Sequence, residues 1–192
     1  DLATLDAVLA HIRDAHVDAV YCLGDLVGYG PFPNEVTERI RDTGIPTVMG
    51  NYDDGVGFDR DQCGCAYREA EEQRLGDESF RWTKRHTTLA NKEFLRQLLP
   101  QIRTEIAGRR LLLVHGSPRR INEYLFEDRP ASSFQRLAAS SKADVIVFGH
   151  THKPFTKHVD NVWFVNVGSV GKPKDGDWRA CYAVLDLTAP TP

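Results

Sequence analysis

Apolar positions at helical spacing predict two helices near the start of the chain. Between residues 2 and 12, leucine and isoleucine recur every three or four positions among polar residues, which is typical of an amphipathic helix. A second helix is predicted over about residues 33–43, because proline stands at its start and Gly44 just past its end. The apolar runs 18–23 and 46–49 predict short buried strands.

Residues 54–100 differ in character from the segments before them. They are charged and poor in β-branched residues, and two helical patches are predicted in them, one around Phe80 and Trp82 and the other over residues 92–99, with Asn91 as a candidate cap. We interpret residues 54–100 as a helical cap or insertion within a single domain that spans residues 1–192.

The strand signal returns in the last part of the chain. The predicted elements are a hairpin of residues 104–106 and 110–114, a helix over 132–139, a strand over 144–148, and a final strand pair of 163–167 with 180–187. Strands that first alternate with helices and later dominate predict an α/β fold, with two face-to-face β-sheets flanked by helices.

Length, composition and charge exclude several classes of protein and partner. With 192 residues, of which 41% are hydrophobic and 27% charged, the chain is an ordinary globular sequence with room for one domain core. A net charge of −3 argues against nucleic acid as a general partner. No apolar run approaches the roughly 20 residues that cross a bilayer, and no signal peptide opens the sequence, so we predict a cytoplasmic protein without a membrane partner. A homo-oligomer is compatible with the sequence.

The four cysteines are predicted to be structural. Cys22 and Cys181 lie in apolar runs, as small buried hydrophobic residues do. Cys63 and Cys65 form a Cys-Gly-Cys sequence with no second cysteine or histidine pair beside it. We therefore interpret them as loop cysteines rather than as a metal or redox pair.

Metal-capable side chains stand beside a glycine at four predicted strand ends. The pairs are Gly24-Asp25, Gly50-Asn51, His115-Gly116 and Gly149-His150. Ligand sites of α/β sheets form at the carboxyl ends of strands, and glycine lets the backbone turn there. Taken singly, each side chain is equally well explained as a turn residue, a cap or a hydrogen-bonded histidine. Together they favour a metal site, because independent turns do not require this set of side chains.

The donor types suit two transition-metal ions. A carboxylate such as that of Asp25 bridges two divalent ions roughly 3.5–4 Å apart. Imidazole nitrogens with an amide oxygen suit Mn, Zn, Fe or Ni better than Ca. His150 and His152 are two positions apart, so on an extended segment their side chains point the same way, one toward each ion.

Four blocks of the sequence resemble the calcineurin-like metallophosphoesterases, in the order that the family has them. The blocks are Gly24-Asp-Leu-Val-Gly28, Gly50-Asn-Tyr-Asp53, Val114-His-Gly116 and Gly149-His-Thr-His152. The later segments 168–171 and 175–177 resemble the bacterial branch that includes small phosphodiesterases. The resemblance covers most of the chain and implies the family's four-layer sandwich, in which helices flank the two sheets.

The resemblance also implies roles for individual residues. Asp25 would bridge the two metal ions. The remaining ligands of one ion would be Asn51, His115 and His150, while His152 would serve the other ion. A hydroxide held between the ions would attack phosphorus in line.

Two features depart from the family's pattern. The family opens with a strand ending Asp-x-His, whose two ligands serve the metal of His152, and this sequence starts after that position. We therefore expect the first strand to be missing, with one metal shell complete and the other incomplete. In addition, Tyr52 replaces the histidine that protonates the leaving group, and a phenol with a pKa of about 10 is a reluctant acid. Asp53 would lose the histidine that it orients, so we expect slow turnover or a preference for good leaving groups.

Substrate contacts are predicted at Asn51, Arg119 and Asn166. Arg119 follows the His115 block and is a candidate to bind phosphate through both arms of its guanidinium, although a solvated loop arginine explains it as well. Asn166 and Ser169 stand at another strand end, where they are candidates for hydrogen bonds that support the ligands.

The sequence therefore predicts a metal-dependent hydrolase of phosphodiesters or phosphomonoesters, which acts on a small phosphoester. Asp25, Tyr52 and Asp53 are its candidate catalytic residues. A protein phosphatase or dinucleoside-polyphosphate phosphatase of the same fold is an alternative enzyme. A metal-bound, non-catalytic protein-binding module is the alternative from another class, since a eukaryotic retromer subunit of this fold also lacks the proton-donating histidine. Retention of all five metal-capable residues favours the enzyme.

Overall fold

The computed structural model describes residues 2–67, 69–189 and 191, and it divides the chain into two compact units. Unit 1 comprises residues 1–99 and unit 2 comprises residues 100–192. Within the described residues, the helices of unit 1 are α1 (Leu2–Asp14), α2 (Pro33–Thr43), α3 (Asn51–Gly57), α4 (Ala70–His86) and α5 (Leu89–Arg96). The two helices predicted near the start of the chain are confirmed.

The start and end of α2 follow its sequence signals. Pro33 occupies the first turn, where its missing amide hydrogen costs nothing. Gly44 closes the helix in the left-handed conformation, with φ of 67° and its amide donating to the Arg41 carbonyl. Ile40 is buried on the face that packs into the core of unit 1.

The predicted strands 18–23 and 46–49 are shorter than expected. In the described part of unit 1 they form only isolated parallel bridges, between Cys22 and Thr47 and between Val48 and Leu99. The prediction of regular strands is wrong here, because both segments turn into glycine loops after one or two bridging residues. The bridges nevertheless place the loop at residues 24–26 beside Gly50 and the first turn of α3, and that adjacency determines the site in this unit.

Residues 54–100 are largely helical, as predicted, but their caps differ from the prediction. Thr88, not Asn91, caps α5, because the Thr88 side chain accepts from the Asn91 amide nitrogen at 3.3 Å. Asn91 lies inside the helix, where its side chain donates to Asn34 and Glu38. The assignment of residues 54–100 as a cap within one domain stays a prediction.

Unit 2 is built on a mixed five-stranded sheet. Its described elements are β1 (Ile102–Ile106), β2 (Arg109–Leu113), α6 (Ala131–Ser141), β3 (Val145–Phe148), β4 (Phe155–Val159) and β5 (Val162–Asn166). The strand order is β1-β2-β3-β5-β4, with β2, β3 and β5 parallel to one another and both edge strands antiparallel to their neighbours. Because α6 connects two parallel strands and packs Phe134 and Leu137 into the core, the predicted α/β class is confirmed.

One predicted strand pair is wrong. β5 pairs with β4, which the sequence did not predict, and residues 180–187 are irregular. β4 is an edge strand whose sequence is mostly polar, Phe-Thr-Lys-His-Val, so it lacks the buried apolar run that marks a central strand. Residues 180–187 have that apolar pattern, yet in their first part the Cys181 amide donates to the Ser169 carbonyl outside any strand.

Candidate metal centre

In unit 1, the carboxylate of Asp53 ties the loop that carries Asp25 to the start of α3, where Asn51 lies. It is fully buried, and one of its oxygens accepts from the amides of Asp25 (2.7 Å) and Gly50 (2.9 Å). Its other oxygen accepts from the Leu26 amide at 2.9 Å. Three charge-assisted hydrogen bonds offset the burial of the carboxylate. Asp53 therefore has a positioning role that does not depend on the side chain at position 52.

Two glycines let these loops approach each other closely. A Cβ added to Gly24 would lie 2.3 Å from the Gly50 nitrogen, and one added to Gly50 would lie 2.1 Å from Asp25 Oδ1. Gly24 also has a φ of +87°, which favours glycine. The Tyr52 amide donates to Asp25 Oδ1 at 2.9 Å, so the loops fix the orientation of the predicted bridging carboxylate.

Three of the predicted ligands have left-handed backbones. The φ angles are +55° at Asp25, +62° at His150 and +59° at His152. This conformation is unfavourable for residues with a Cβ and is concentrated at functional sites. It also corrects the prediction that His150 and His152 lie on an extended segment. The Thr151 amide donates to the Gly149 carbonyl at 2.7 Å, so the chain turns tightly there instead of continuing the strand.

The amide of Asn51 is held by the segment that contains the paired cysteines. Asn51 is 2% exposed, and its Nδ2 donates to the Cys63 carbonyl at 2.9 Å and to Cys65 Sγ at 3.3 Å. Both bonds use the amide nitrogen and fix the orientation of the side chain. The amide oxygen therefore points away from the cysteine segment, which is the orientation that a metal ligand requires. The sequence did not reveal this contact, since one of the two acceptors is a backbone carbonyl.

The two cysteine thiols influence each other. The pKa of Cys63 is lowered to about 7, chiefly because the Cys65 thiol donates a hydrogen bond to it. The same interaction, together with burial, raises the pKa of Cys65. Cys63 is therefore the thiol of the pair that ionises more readily.

Tyr52 is buried in an aromatic cluster. It is 1% exposed, its ring centroid lies 4.9 Å from that of Tyr29 and 5.7 Å from that of Phe80, and its hydroxyl is 3.4 Å from the Tyr67 hydroxyl. Gly28 makes room for the ring, since a Cβ there would lie 2.5 Å from it. Burial raises the pKa of Tyr52 above its ordinary value. Since a higher pKa means a weaker acid, this environment argues against a proton-donating role.

In unit 2, His115 and His150 are brought together by adjacent parallel strands. They follow the carboxyl ends of β2 and β3, and the Gly149 amide donates to the His115 carbonyl at 2.8 Å. Both are buried, at 4% and 5% exposure, with ring centroids 5.1 Å apart. Two imidazoles in one buried position are a donor set suited to a transition-metal ion.

Neighbouring side chains support the histidine loop. The Tyr124 ring lies against that of His150, with centroids 4.1 Å apart. Asn166 is 2% exposed, and its Nδ2 donates to the Gly149 carbonyl (3.0 Å) and to Thr151 Oγ1 (2.9 Å). Its Oδ1 accepts from the Gly168 amide at 3.0 Å. These bonds make Asn166 a support of the loop, while its predicted contact with substrate stays a prediction.

The ring of His152 is oriented by a backbone carbonyl. Its Nδ1 lies 2.6 Å from the Lys172 oxygen. Because a carbonyl only accepts, Nδ1 carries the proton and Nε2 has the lone pair in the neutral ring. Metal-ligating histidines commonly have such a bond on their other nitrogen.

The side chain of Arg119 is bound by Glu123. Both arms of its guanidinium donate to that carboxylate, which also accepts from the Ser117 hydroxyl at 2.5 Å and lies 3.5 Å from Arg129. Although burial raises the pKa of Glu123, hydrogen bonds from Arg119 and Ser117 lower it below its usual value. A phosphate that binds Arg119 must therefore compete with this carboxylate, and the predicted phosphate contact stays a prediction.

The family follows from comparison with known proteins. The sequence profile of the calcineurin-like phosphoesterase superfamily domain matches residues 1–189. The chain belongs to the calcineurin-like phosphoesterase superfamily. The resemblance read from the four sequence blocks is thereby confirmed.

Relatives within this superfamily include archaeal and bacterial proteins. The chain is 33% identical to the uncharacterized protein MJ0912 of Methanocaldococcus jannaschii over 205 residues, which covers 97% of the chain and 78% of that protein. It is 40% identical to phosphodiesterase YfcE of Escherichia coli strain K12 over 52 residues, which covers 27% of the chain and 28% of YfcE.

Two solved structures have the same fold. A metallophosphoesterase from Sphaerobacter thermophilus has 28% sequence identity and a TM-score of 0.71, with 93% of this chain and 76% of that chain covered. The protein PH1004 from Pyrococcus horikoshii OT3 has 20% identity and a TM-score of 0.74, with 88% and 73% covered. At that identity, the second likeness concerns the fold alone. In the portion of the chain that the structure describes, none of the helices is both long and apolar enough to cross a membrane.

Proposed function

We propose that this protein hydrolyses phosphoester bonds with two divalent transition-metal ions. The observation that carries the proposal is the buried pair His115 and His150, with ring centroids 5.1 Å apart at the ends of adjacent parallel strands, in a chain of this superfamily. The relatives include a phosphodiesterase and a metallophosphoesterase, which supports a phosphoester as the substrate. A small phosphodiester or phosphomonoester is the substrate class we propose.

The residues fit such ions in their donor chemistry. The proposed ligands provide one carboxylate, one amide oxygen and three imidazoles, from Asp25, Asn51, His115, His150 and His152. This mixture suits Mn, Zn, Fe or Ni. When bound, such ions lower the pKa of water and neutralise charge that develops on phosphate oxygens. The glycine cradle at Gly24 and Gly50 allows the close backbone approach that an ion between loops requires.

We assign distinct tasks to the neighbouring residues of the chain. Asp53 holds the Asp25 and Asn51 loops through three amide hydrogen bonds, and Asn166 holds the loop of His150. Tyr52 supports the core of unit 1 and does not donate a proton. Without a histidine at position 52, the leaving group must depart with less assistance, so aryl esters react faster than alkyl esters. That one of the two metal shells is incomplete, and that the location is cytoplasmic, stay predictions.

The test uses the full-length protein stripped of metal and then supplied with Mn²⁺. We expect hydrolysis of an aryl phosphodiester or monoester that depends on Mn²⁺, with alkyl diesters much slower. His115→Ala removes a proposed ligand and should abolish turnover. His158→Ala is the matched control, because His158 lies on β4 and stacks on Trp163 instead. Tight Mn²⁺ binding without turnover of either ester would refute the proposal and favour the protein-binding module.

A further inference from the structure

The Cys63-Gly64-Cys65 segment holds one proposed metal ligand in place. Asn51 Nδ2 donates two hydrogen bonds to this segment, one to the Cys63 carbonyl and one to Cys65 Sγ. All of these residues lie within unit 1. A chemical change at the cysteines therefore acts directly on the orientation of the Asn51 amide.

The two cysteines are arranged to react with each other. Both are free thiols one residue apart, and the same Asn51 amide lies against the Cys63 carbonyl at 2.9 Å and the Cys65 sulfur at 3.3 Å. Gly64 between them has a φ of +69°, a left-handed turn that glycine adopts without strain. Cys63 is buried at 9% exposure, whereas Cys65 is half-buried. A small oxidant therefore has access to the pair from the side of the half-buried Cys65.

We propose that Cys63 and Cys65 form an oxidation site, where a peroxide converts the two thiols to a disulfide and loosens the hold of Asn51 on a metal ion. The effect on metal rests on the proposed function of Asn51. Formation of the disulfide does not rest on it.

The reaction balances with hydrogen peroxide as the oxidant. One cysteine sulfur attacks a peroxide oxygen, the O–O bond breaks, and the released hydroxide takes up that thiol's proton as water. The sulfur of the other cysteine then attacks the sulfenic sulfur. An S–S bond forms, the S–O bond breaks, and the departing hydroxide takes up the second thiol's proton and leaves as a second water. The two thiols are oxidised by two electrons, and one peroxide is reduced to two waters.

The disulfide changes the contacts of Asn51 in two ways. Cys65 Sγ becomes bonded to the other sulfur and is no longer a thiol at 3.3 Å from Nδ2. Closing the ring through Gly64 also shifts the Cys63 carbonyl, the second acceptor. Residues that support a metal ligand by hydrogen bonding commonly contribute 10–100-fold to metal affinity. We therefore expect Mn²⁺ affinity to fall about tenfold.

The experiment treats the metal-stripped, full-length protein with hydrogen peroxide and measures three quantities. Peptide mass mapping detects a disulfide between Cys63 and Cys65. Calorimetric titration gives the affinity for Mn²⁺ before oxidation, after oxidation and after reduction with a dithiol. The side-chain amide signals of Asn51 in a ¹⁵N NMR spectrum, assigned by their loss in Asn51→Asp, report the change of its surroundings without metal.

Two variants separate the proposed site from general oxidation. In Cys65→Ser, peroxide should change neither the Asn51 signals nor that variant's own Mn²⁺ affinity. In Cys181→Ser, which removes a half-buried thiol of unit 2, the full response should remain. Failure of the disulfide to form at peroxide levels that oxidise Cys181 would overturn the proposal, as would a disulfide that leaves the Asn51 signals unmoved. If the Asn51 signals shift but the protein binds no Mn²⁺, the proposed function fails while the oxidation site stands.

Discussion

Replacing Asp53 with asparagine tests whether this carboxylate holds the two ligand loops of unit 1. The side chain is fully buried and accepts three amide hydrogen bonds. Asparagine has nearly the same shape but only one acceptor oxygen. If that oxygen keeps the bonds from Asp25 and Gly50, the new NH₂ group faces the Leu26 amide, and two buried donors oppose each other.

The expected loss of stability follows from those contacts. A hydrogen bond to a charged group contributes about 1.5–3 kcal/mol, and an unsatisfied buried donor costs about 1–3 kcal/mol. Since the variant retains part of the network, we expect the free energy of unfolding to fall by about 2–4 kcal/mol. For a chain of this size, each kcal/mol lowers the melting temperature by about 2–4 °C, which gives about 4–16 °C in total.

The assay is thermal unfolding of the full-length protein by calorimetry, with Asp54→Asn as the matched control. Asp54 is the next residue along α3, but its side chain is 24% exposed and pairs with the exposed Arg60. Such a surface ion pair contributes about 1 kcal/mol or less, so the control should melt close to the unaltered protein. Equal melting temperatures for Asp53→Asn and Asp54→Asn would refute the reasoning.

Three further predictions concern other positions. Tyr52→Phe should change turnover of an alkyl phosphodiester by less than about twofold, because burial raises the pKa of the phenol and weakens it as an acid; a tenfold loss in steady-state rate would contradict this. Gly50→Ala should destabilise the fold by about 3 kcal/mol or more in urea unfolding, because the added Cβ would lie 2.1 Å from a carboxylate oxygen of Asp25. Gly149→Ala is the control: its added Cβ would have no neighbour nearer than 3.9 Å, so the free energy of unfolding should change by less than about 1 kcal/mol. Hydrogen bonds from Arg110 hold the pKa of Asp144 at about 2, below its ordinary 3.8. The ion pair therefore stabilises the fold fully above pH 3.8, and this contribution is lost as the pH falls through about 2. Acid unfolding of Asp144→Asn should lack this pH dependence, and an unchanged profile would count against the pair.

The sequence predicted best those elements whose local signals agree with their packing. Proline at the start of α2 and Gly44 after its end fixed the bounds of that helix. The β1–β2 hairpin and β3 followed from apolar runs interrupted by turn residues. Edge strand β4 escaped prediction because its polar sequence resembles a loop. α3 escaped because two of its seven residues are glycines, and its position depends on burial against other helices rather than on propensity.

The same limits apply to the candidate site. The pairs of a glycine and a metal-capable side chain were visible in the sequence because each residue type has its own chemical reason, the glycine for the backbone turn and its neighbour for metal ligation. The supports were not visible, because their hydrogen bonds join residues that are distant along the chain. Asp53 reaches Leu26 across 27 positions, and Asn51 contacts a backbone carbonyl at Cys63. Nor could the sequence show that Tyr52 is buried among aromatic rings, since that depends on the packing of Phe80 from another helix.

The central claim, that this chain hydrolyses phosphoesters with metal ions bound by the five proposed ligands, is tested most directly by one measurement. The rate of aryl phosphodiester hydrolysis is followed against Mn²⁺ concentration in the metal-stripped, full-length protein, in His150→Ala and in His158→Ala. The account predicts saturable, Mn²⁺-dependent turnover in the unaltered protein and in His158→Ala, and its loss in His150→Ala. Turnover that persists undiminished in His150→Ala, or that never appears although Mn²⁺ binds, would contradict the account.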